Sequence, residues 1–449
     1  MPDGQPLTDC LASFVAGTPS EMIPAAAVEP AKIVILDTIG VALAASTRSI
    51  GKIVVGYVAE NAGATATATV LGAGIKASAP MAAFANGTLA NALDFDEGSH
   101  LSTHILAAAL AVAEDRGLSG KAMLDAFVVA YEAGARLTQA VDFKRRQGGG
   151  PTHRGWWHVG LIGPIAAAMA ACRLLGLDAL QTATAVGIAS CSSGGFRRNM
   201  GTMAKALHSG NAARAGIEAA MLARDGLTAD TTIIEASLGL LQAVALPEEL
   251  DVAAITERLG RPYVLEGPLR IKRYPACNPG HPLIDAALRL VNERGINADA
   301  IESVEADLHT FSLLRGEPVD EESAGFSGAF LIAAALIHGS FSLDQLTVDV
   351  VRDQRVRALI KRVHHVPAGE PETLVAVLCD GRREKIDVRP VSRLSERAGI
   401  LEKFDRCAIP VVGRKATEIL RQQIGMLEDL PDLSCLMAAA GRAAVHAAA

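Results

Sequence analysis

Several stretches far apart in the chain repeat one pattern: apolar side chains at helical spacing, most of them no bulkier than alanine or valine. Residues 31–45 read AKIVILDTIGVALAA, 105–114 read ILAAALAVAE, and 160–177 and the segment running to about 224 are of the same kind. Side chains this small let helix axes approach closely, so the pattern dictates helices packed on helices around an alanine-rich interior. Hydrophobic residues make up 50% of the chain and aromatics only 4%, which leaves small aliphatics to fill the core. At 449 residues there is room for more than one domain.

Charge narrows the partners. A net charge of −7 and a pI near 5.9 argue against a nucleic-acid or membrane-surface partner. No apolar run reaches transmembrane length without a charge or a break. The start, Met-Pro-Asp-Gly-Gln-Pro, lacks the basic residues and apolar stretch of a secretory signal. The seven cysteines, at 10, 172, 191, 277, 379, 407 and 435, form no CxxC pair and no zinc-like spacing, so neither a disulfide framework nor structural zinc is expected. A cytoplasmic location is the expectation that follows.

Along the chain, 20–60, 81–93, 121–138, 160–177 and 182–193 read as helix, 63–76 as a short extended segment, and 228–244 as weakly helical. The character changes near 262. Strand-like stretches at 263–265, 302–309, 373–378 and 385–388 then alternate with helices at 281–294, 326–338 and 352–362. From 394 the pattern is helical again. The reading is mainly α: a helical part over 1–262, an α+β part over 263–393, and C-terminal helices over 394–449.

Ionisable chemistry concentrates at 91–104, Asn-Ala-Leu-Asp-Phe-Asp-Glu-Gly-Ser-His-Leu-Ser-Thr-His, just ahead of the 105–114 helix. Gly98 breaks the preceding pattern, and Ser102 or Thr103 is placed to cap the new helix. His104 then falls in the first turn, where orphan N–H groups and the helix dipole disfavour the imidazolium. A neutral imidazole beside carboxylates is suited to moving protons. A second polar stretch, 144–158, carries Arg154, both tryptophans and His158 on a glycine-rich crossing. The basic clusters Lys144–Arg146, Arg154, Arg197–Arg198 and Lys272–Arg273 supply cations that can anchor an anionic ligand within an acidic chain.

Other readings stand beside these. His100 and His104 at i, i+4 match the spacing of a metal pair, though no HExxH glutamate follows. Asp94-Phe-Asp96 matches a magnesium-binding DxD element, a dipeptide pattern common by chance. Arg197–Arg198 reads equally as a solvated face, and Trp156–Trp157 as packing. His208 and His281 are either substrate contacts or satisfied core histidines. Cys277 has no base partner in sequence.

Five stretches, in order and over nearly the whole chain, resemble the MmgE/PrpD family. They are Asn91-Ala-Leu-Asp-Phe-Asp with His104 following; Ala130-Tyr-Glu-Ala-Gly; Gly155-Trp-Trp-His158; Gly201-Thr-Met-Ala-Lys-Ala-Leu-His-Ser-Gly-Asn-Ala-Ala213; and Lys272-Arg-Tyr-Pro-Ala-Cys-Asn-Pro-Gly-His281. That group includes 2-methylcitrate dehydratase, cis-aconitate decarboxylase and iminodisuccinate epimerase. The resemblance implies a large all-helical domain made of the N-terminal part and the C-terminal tail, a smaller α+β lid inserted between, and a homodimer. It carries the acid–base positions onto Asp94, His104, His158 and Lys205, and implies small polycarboxylate substrates with no cofactor or metal. Arg154, His208, Lys272, Arg273 and His281 are the candidate substrate-binding residues. Two departures stand out. Phe330 falls where a tyrosine of cis-aconitate decarboxylase helps protonate the product, and Leu101 falls where dehydratase relatives place proline.

The expectation is a cofactor-independent lyase, first of all a dehydratase of a 2-methylcitrate-like hydroxy-polycarboxylate. An epimerase or decarboxylase of a related acid is the alternative, and a non-catalytic carboxylate-binding helical dimer is the rival from another class.

Overall fold

The alanine-rich stretches become the helices that hold the molecule together. The computed structural model describes residues 6–142, 148–309, 317–367, 372–388 and 394–442. Ala25–Ser46 is buried without interruption from Val34 to Ser46, Leu101–Asp115 from Leu101 to Ala113, and His158–Leu174 from His158 to Cys172. A helix buried all the way round lies at the centre of a bundle. Ala79–Ala92, Gly120–Val141 and Ala204–Arg224 pack around these three. Glycine permits a close helix crossing: a Cβ at Gly210 would lie 2.1 Å from Thr88 Oγ1 and 2.4 Å from Phe84 O.

The tail returns to this bundle. Arg397–Gly425 lies along Ala25–Ser46. Phe404 closes on Gly40, where a Cβ would come within 2.7 Å of its ring, and Lys403 Nζ reaches Asp37 Oδ1 at 2.6 Å beside it. A short antiparallel pair, β1 (Ala68–Thr69) and β2 (Lys76–Ala77), decorates the helical part.

The smaller α+β part is built on β3 (Ile301–Ala306), β4 (Val363–His365), β5 (Thr373–Leu378) and β6 (Arg383–Asp387), in spatial order β4-β3-β5-β6. The β3–β4 pair is parallel; β3–β5 and β5–β6 are antiparallel. Alternation along β5 turns Leu374, Ala376 and Leu378 inward, where Gly280–Asn292 and Gly328–His338 cover them. The chain is thus mainly α with a small α+β part. The two parts touch where Arg48 donates to Leu343 O at 3.1 Å and Leu346 O at 3.2 Å, and where Asn278 Nδ2 donates to Gly98 O at 3.3 Å.

Several local expectations are corrected. The Leu101–Asp115 helix starts before Ser102 and Thr103, with His100 at its N-cap position, so neither hydroxyl residue caps it. Residues 263–265 are not a strand: Val264–Glu266 is a 3-10 turn, and Tyr263, Leu265 and Ile271 pack into the helical core, whereas Tyr274 belongs to the core of the α+β part. Of 228–244 only Leu240–Val244 is helical. The helix expected over 352–362 is Gln354–Ile360, capped by Asp353, which also ends the separate short helix Val348–Arg352. Among the described residues no single helix is long and apolar enough to cross a membrane.

Candidate active site

The turn that joins Ala79–Ala92 to Leu101–Asp115 carries the site. Asp94 has φ 47° and His100 φ 62°, both in the left-handed region. Non-glycine residues held there store strain of the kind that gathers at functional sites. Glu97 fastens the turn: its carboxylate accepts Ser99 N–H at 2.7 Å and Ser102 N–H at 3.2 Å, the latter an orphan amide of the helix start. Gly98 N–H donates to Arg270 O at 2.8 Å, and Lys403 Nζ donates to Phe95 O at 2.6 Å. Phe95, Glu97 and Gly98 are thereby tied to another element or to the next helix.

Asp94 is the hub. Lys205 Nζ donates to its Oδ1 at 2.5 Å, and Lys272 Nζ donates to its Oδ2 at 2.8 Å and to its carbonyl at 2.7 Å. All three side chains are buried, Lys272 to 1% exposure. Burial alone would raise the Asp94 carboxyl, but the ammonium groups of Lys205 and Lys272, and then His100, outweigh it and hold the group well below the usual carboxylate range. Lys205 also donates to Asn91 O at 3.2 Å. Each ammonium therefore uses two of its three N–H groups on described residues, and one remains for an anion.

Asp96 and His100 form a second pair that the sequence reading set aside. His100 Nδ1–H donates to Asp96 Oδ2 at 2.6 Å, and its Nε2 lies 3.6 Å from Asp94 Oδ1. Burial raises the Asp96 carboxyl, yet His100 first and then the two lysines pull it below its ordinary value. The His100 ring is 6.3 Å from that of His158 and 5.7 Å from that of Trp157. His158, first residue of its helix, shares Nε2 with Ser99 O at 3.0 Å.

His104 sits one turn into Leu101–Asp115, against Gly163, where a Cβ would meet its ring at 3.4 Å. It is fully buried, and neither ring nitrogen has a hydrogen-bond partner among the described residues. Burial first, and then the charge of His100, lowers its pKa to about 3, so the ring is neutral at ordinary pH. That neutrality matches the expectation, although its main cause is burial rather than the helix dipole.

The remaining candidates divide. His281, at the start of Gly280–Asn292, shares Nε2 with Ala276 O at 3.1 Å, and burial and then Lys272 lower it to about 3. His208 shares Nδ1 with Lys205 O at 2.9 Å and packs under Gly195, and burial lowers its pKa as well. Arg154 is engaged elsewhere, with Glu249 Oε2 at 2.6 Å and Val244 O at 2.7 Å. Arg197 donates to Thr152 O at 3.0 Å. Arg273 turns away from its neighbour Lys272: it lines a cavity of about 800 Å³ bounded by Phe95, Tyr274, Phe341 and Lys403, and Asp94, His104, His158 and Lys205 are not in that lining. Lys144–Arg146 lie outside the described residues. Phe330 is wholly buried in the α+β core beside Phe341, and the aromatic ring that faces Lys205 Nζ, at 5.9 Å, is that of Phe326.

One oxygen each from Asp94 and Asp96 and a nitrogen of His100 lie within 4.8 Å of one another, a donor set able to ligate a cation. The ammonium groups on Asp94 already occupy that role, so a divalent ion would meet two positive charges at contact distance. His100 and His104 do not act as a pair, because His100 is turned toward Asp96. What the arrangement favours is a small anion: buried donors with one N–H to spare on each lysine, and buried imidazoles close by.

The MmgE/PrpD N-terminal domain model matches residues 9–253 and the MmgE/PrpD C-terminal domain model residues 274–428. The chain is 27% identical to the human protein named cis-aconitate decarboxylase, over 96% of this chain and 93% of that one. It is 29% identical to the mouse protein of the same name, over 79% and 77%, and 27% identical to a cis-aconitate decarboxylase-like protein of Aspergillus oryzae, over 82% and 81%. With both domain models matched in order across the helical part and the α+β part, the chain belongs to the MmgE/PrpD family.

Proposed function

We propose that the chain is a lyase that acts on a small polycarboxylate by moving a proton on carbon next to a bound carboxylate. The observation that carries the reading is Asp94 held between Lys205 and Lys272, with imidazoles beside it. The spare N–H groups of the two lysines would take up a substrate carboxylate and the enolate-like charge that develops when the adjacent carbon loses its proton. His104 and His158, at the acid–base positions the family resemblance implies, are the candidates for proton transfer. Elimination of water fits this set best. A neutral imidazole takes the carbon-bound proton, the C–H electrons form the double bond, and Lys205 protonates the departing hydroxyl.

Decarboxylation is the second reading, favoured by the names of the human and mouse relatives. The phenyl rings at Phe330 and Phe326 have no proton to give, which weighs against a route that needs an aromatic hydroxyl. The test is a screen of hydroxy di- and tricarboxylates and of cis-aconitate. Absorbance of a conjugated alkene from a hydroxy acid supports the dehydratase, and carbon dioxide from cis-aconitate supports the decarboxylase. Solvent deuterium on carbon with no unsaturated product points to an epimerase, and no reaction with any of them refutes the proposal.

A further inference from the structure

We propose that His100, oriented by Asp96, is a catalytic proton-transfer residue of this site alongside the histidines at 104 and 158. The inference deepens the lyase reading and rests on it. Asp96 is fully buried, and its Oδ2 accepts from Nδ1 at 2.6 Å, which fixes the ring plane and leaves Nε2 as the nitrogen that exchanges a proton. That nitrogen is turned toward Asp94 Oδ1 at 3.6 Å, beyond hydrogen-bond reach, on the carboxylate that Lys205 and Lys272 hold from their own sides. A ligand bound on the spare lysine N–H groups would therefore meet Nε2.

The other imidazoles lack this combination. His158 has its Nε2 on the Ser99 carbonyl. His104 is wholly enclosed, whereas the His100 side chain keeps 5% exposure. The backbone supplies an independent argument. With φ at 62°, position 100 lies in the left-handed region, where non-glycine residues are uncommon. Backbone strain of this kind gathers at functional sites. In the elimination, Nε2, in place of a nitrogen of His104 or His158, takes the carbon-bound proton as the C–H electrons form the double bond and the C–O bond breaks, and Asp96 holds the resulting imidazolium. Asp96 is then a positioning residue.

The test uses the full chain and the polycarboxylate that the wild type turns over. His100→Asn is the first variant, since asparagine tolerates the left-handed backbone. It is expected to lower kcat by at least about a hundredfold, the usual worth of one acid–base group, with the circular-dichroism melt little changed. Asp96→Asn is the second. Removing the anion makes protonation of His100 harder, so the limb of the kcat/KM pH profile that reports His100 moves to lower pH whichever way its proton travels. A structural role would lower the rate without moving the limb. An active wild type with a near-normal His100→Asn variant, or an Asp96→Asn profile with unmoved limbs, overturns this inference alone. A wild type inactive on the whole panel overturns the lyase reading and this inference together.

Discussion

Replacing Lys205 by methionine removes one charge from the Asp94 cluster while keeping the length and apolar body of the side chain. Asp94 Oδ1 loses its donor at 2.5 Å, but Oδ2 keeps Lys272 at 2.8 Å, so the carboxylate stays paired and buried. The loss to the fold is that of one charged hydrogen bond with a partner left half-satisfied, about 1–3 kcal/mol. The loss to catalysis is larger in proportion. Of the two spare N–H groups that could meet developing negative charge, one disappears. Removing a single preorganised donor costs about 10²–10³ in kcat, or about 2.7–4 kcal/mol. Lys205→Met should therefore fold, melt a few degrees lower, and turn over at least about a hundredfold more slowly, with the change in kcat rather than in KM. Steady-state kinetics beside a thermal melt reads both. A variant with near-normal kcat would mean that Lys205 only braces Asp94, and the charge argument would fall.

Three further outcomes follow from other parts of the molecule. Gly210→Ala forces a Cβ to 2.1 Å from Thr88 Oγ1 and 2.4 Å from a backbone oxygen, so it should lower stability by about 1–3 kcal/mol in a denaturant or thermal melt; an unchanged melt would contradict the close crossing. His104 and His281 are held to about 3 when folded, against 6.5 as the ordinary value, so the unfolded chain binds more protons between those pH values. Stability from these groups is present above pH 6.5 and is lost as pH falls toward 3, and His281→Gln should reduce the acid-side slope by about one proton; an unaltered slope would count against the burial of a neutral ring there. Lys403→Met strips the buried Asp37 carboxylate of its partner at 2.6 Å and should cost about 3–5 kcal/mol in the same melt; a change under about 1 kcal/mol would show that water or another cation reaches Asp37.

The helical body was legible because its signal is local and long: spacing over 31–45, 105–114 and 160–177 survives any tertiary detail. Residues 263–265 were not, because three apolar residues fit a strand and a core-packed 3-10 turn equally well. At the site, charge density alone pointed to Lys272, and Lys205 came from the family resemblance; both meet at Asp94 although 178 and 111 residues, respectively, separate them from it in sequence. Basic residues elsewhere misled. Nothing near Arg154 in sequence reveals that Glu249, 95 residues on, folds against it. The Asp96–His100 pair was passed over for a similar reason. A DxD dipeptide and a histidine four residues later are commonplace on paper, and only the left-handed backbone at His100 turns the ring back onto Asp96.

The account stands or falls on proton transfer at carbon beside a bound carboxylate. The direct measurement is proton NMR of the wild-type enzyme in deuterated water with hydroxy di- and tricarboxylates and cis-aconitate, each followed to equilibrium. The account calls for at least one of them to yield vinyl signals or to exchange a carbon-bound proton for solvent deuterium, and for Lys205→Met to slow that change at least about a hundredfold. Spectra that stay unchanged across the whole panel would contradict it.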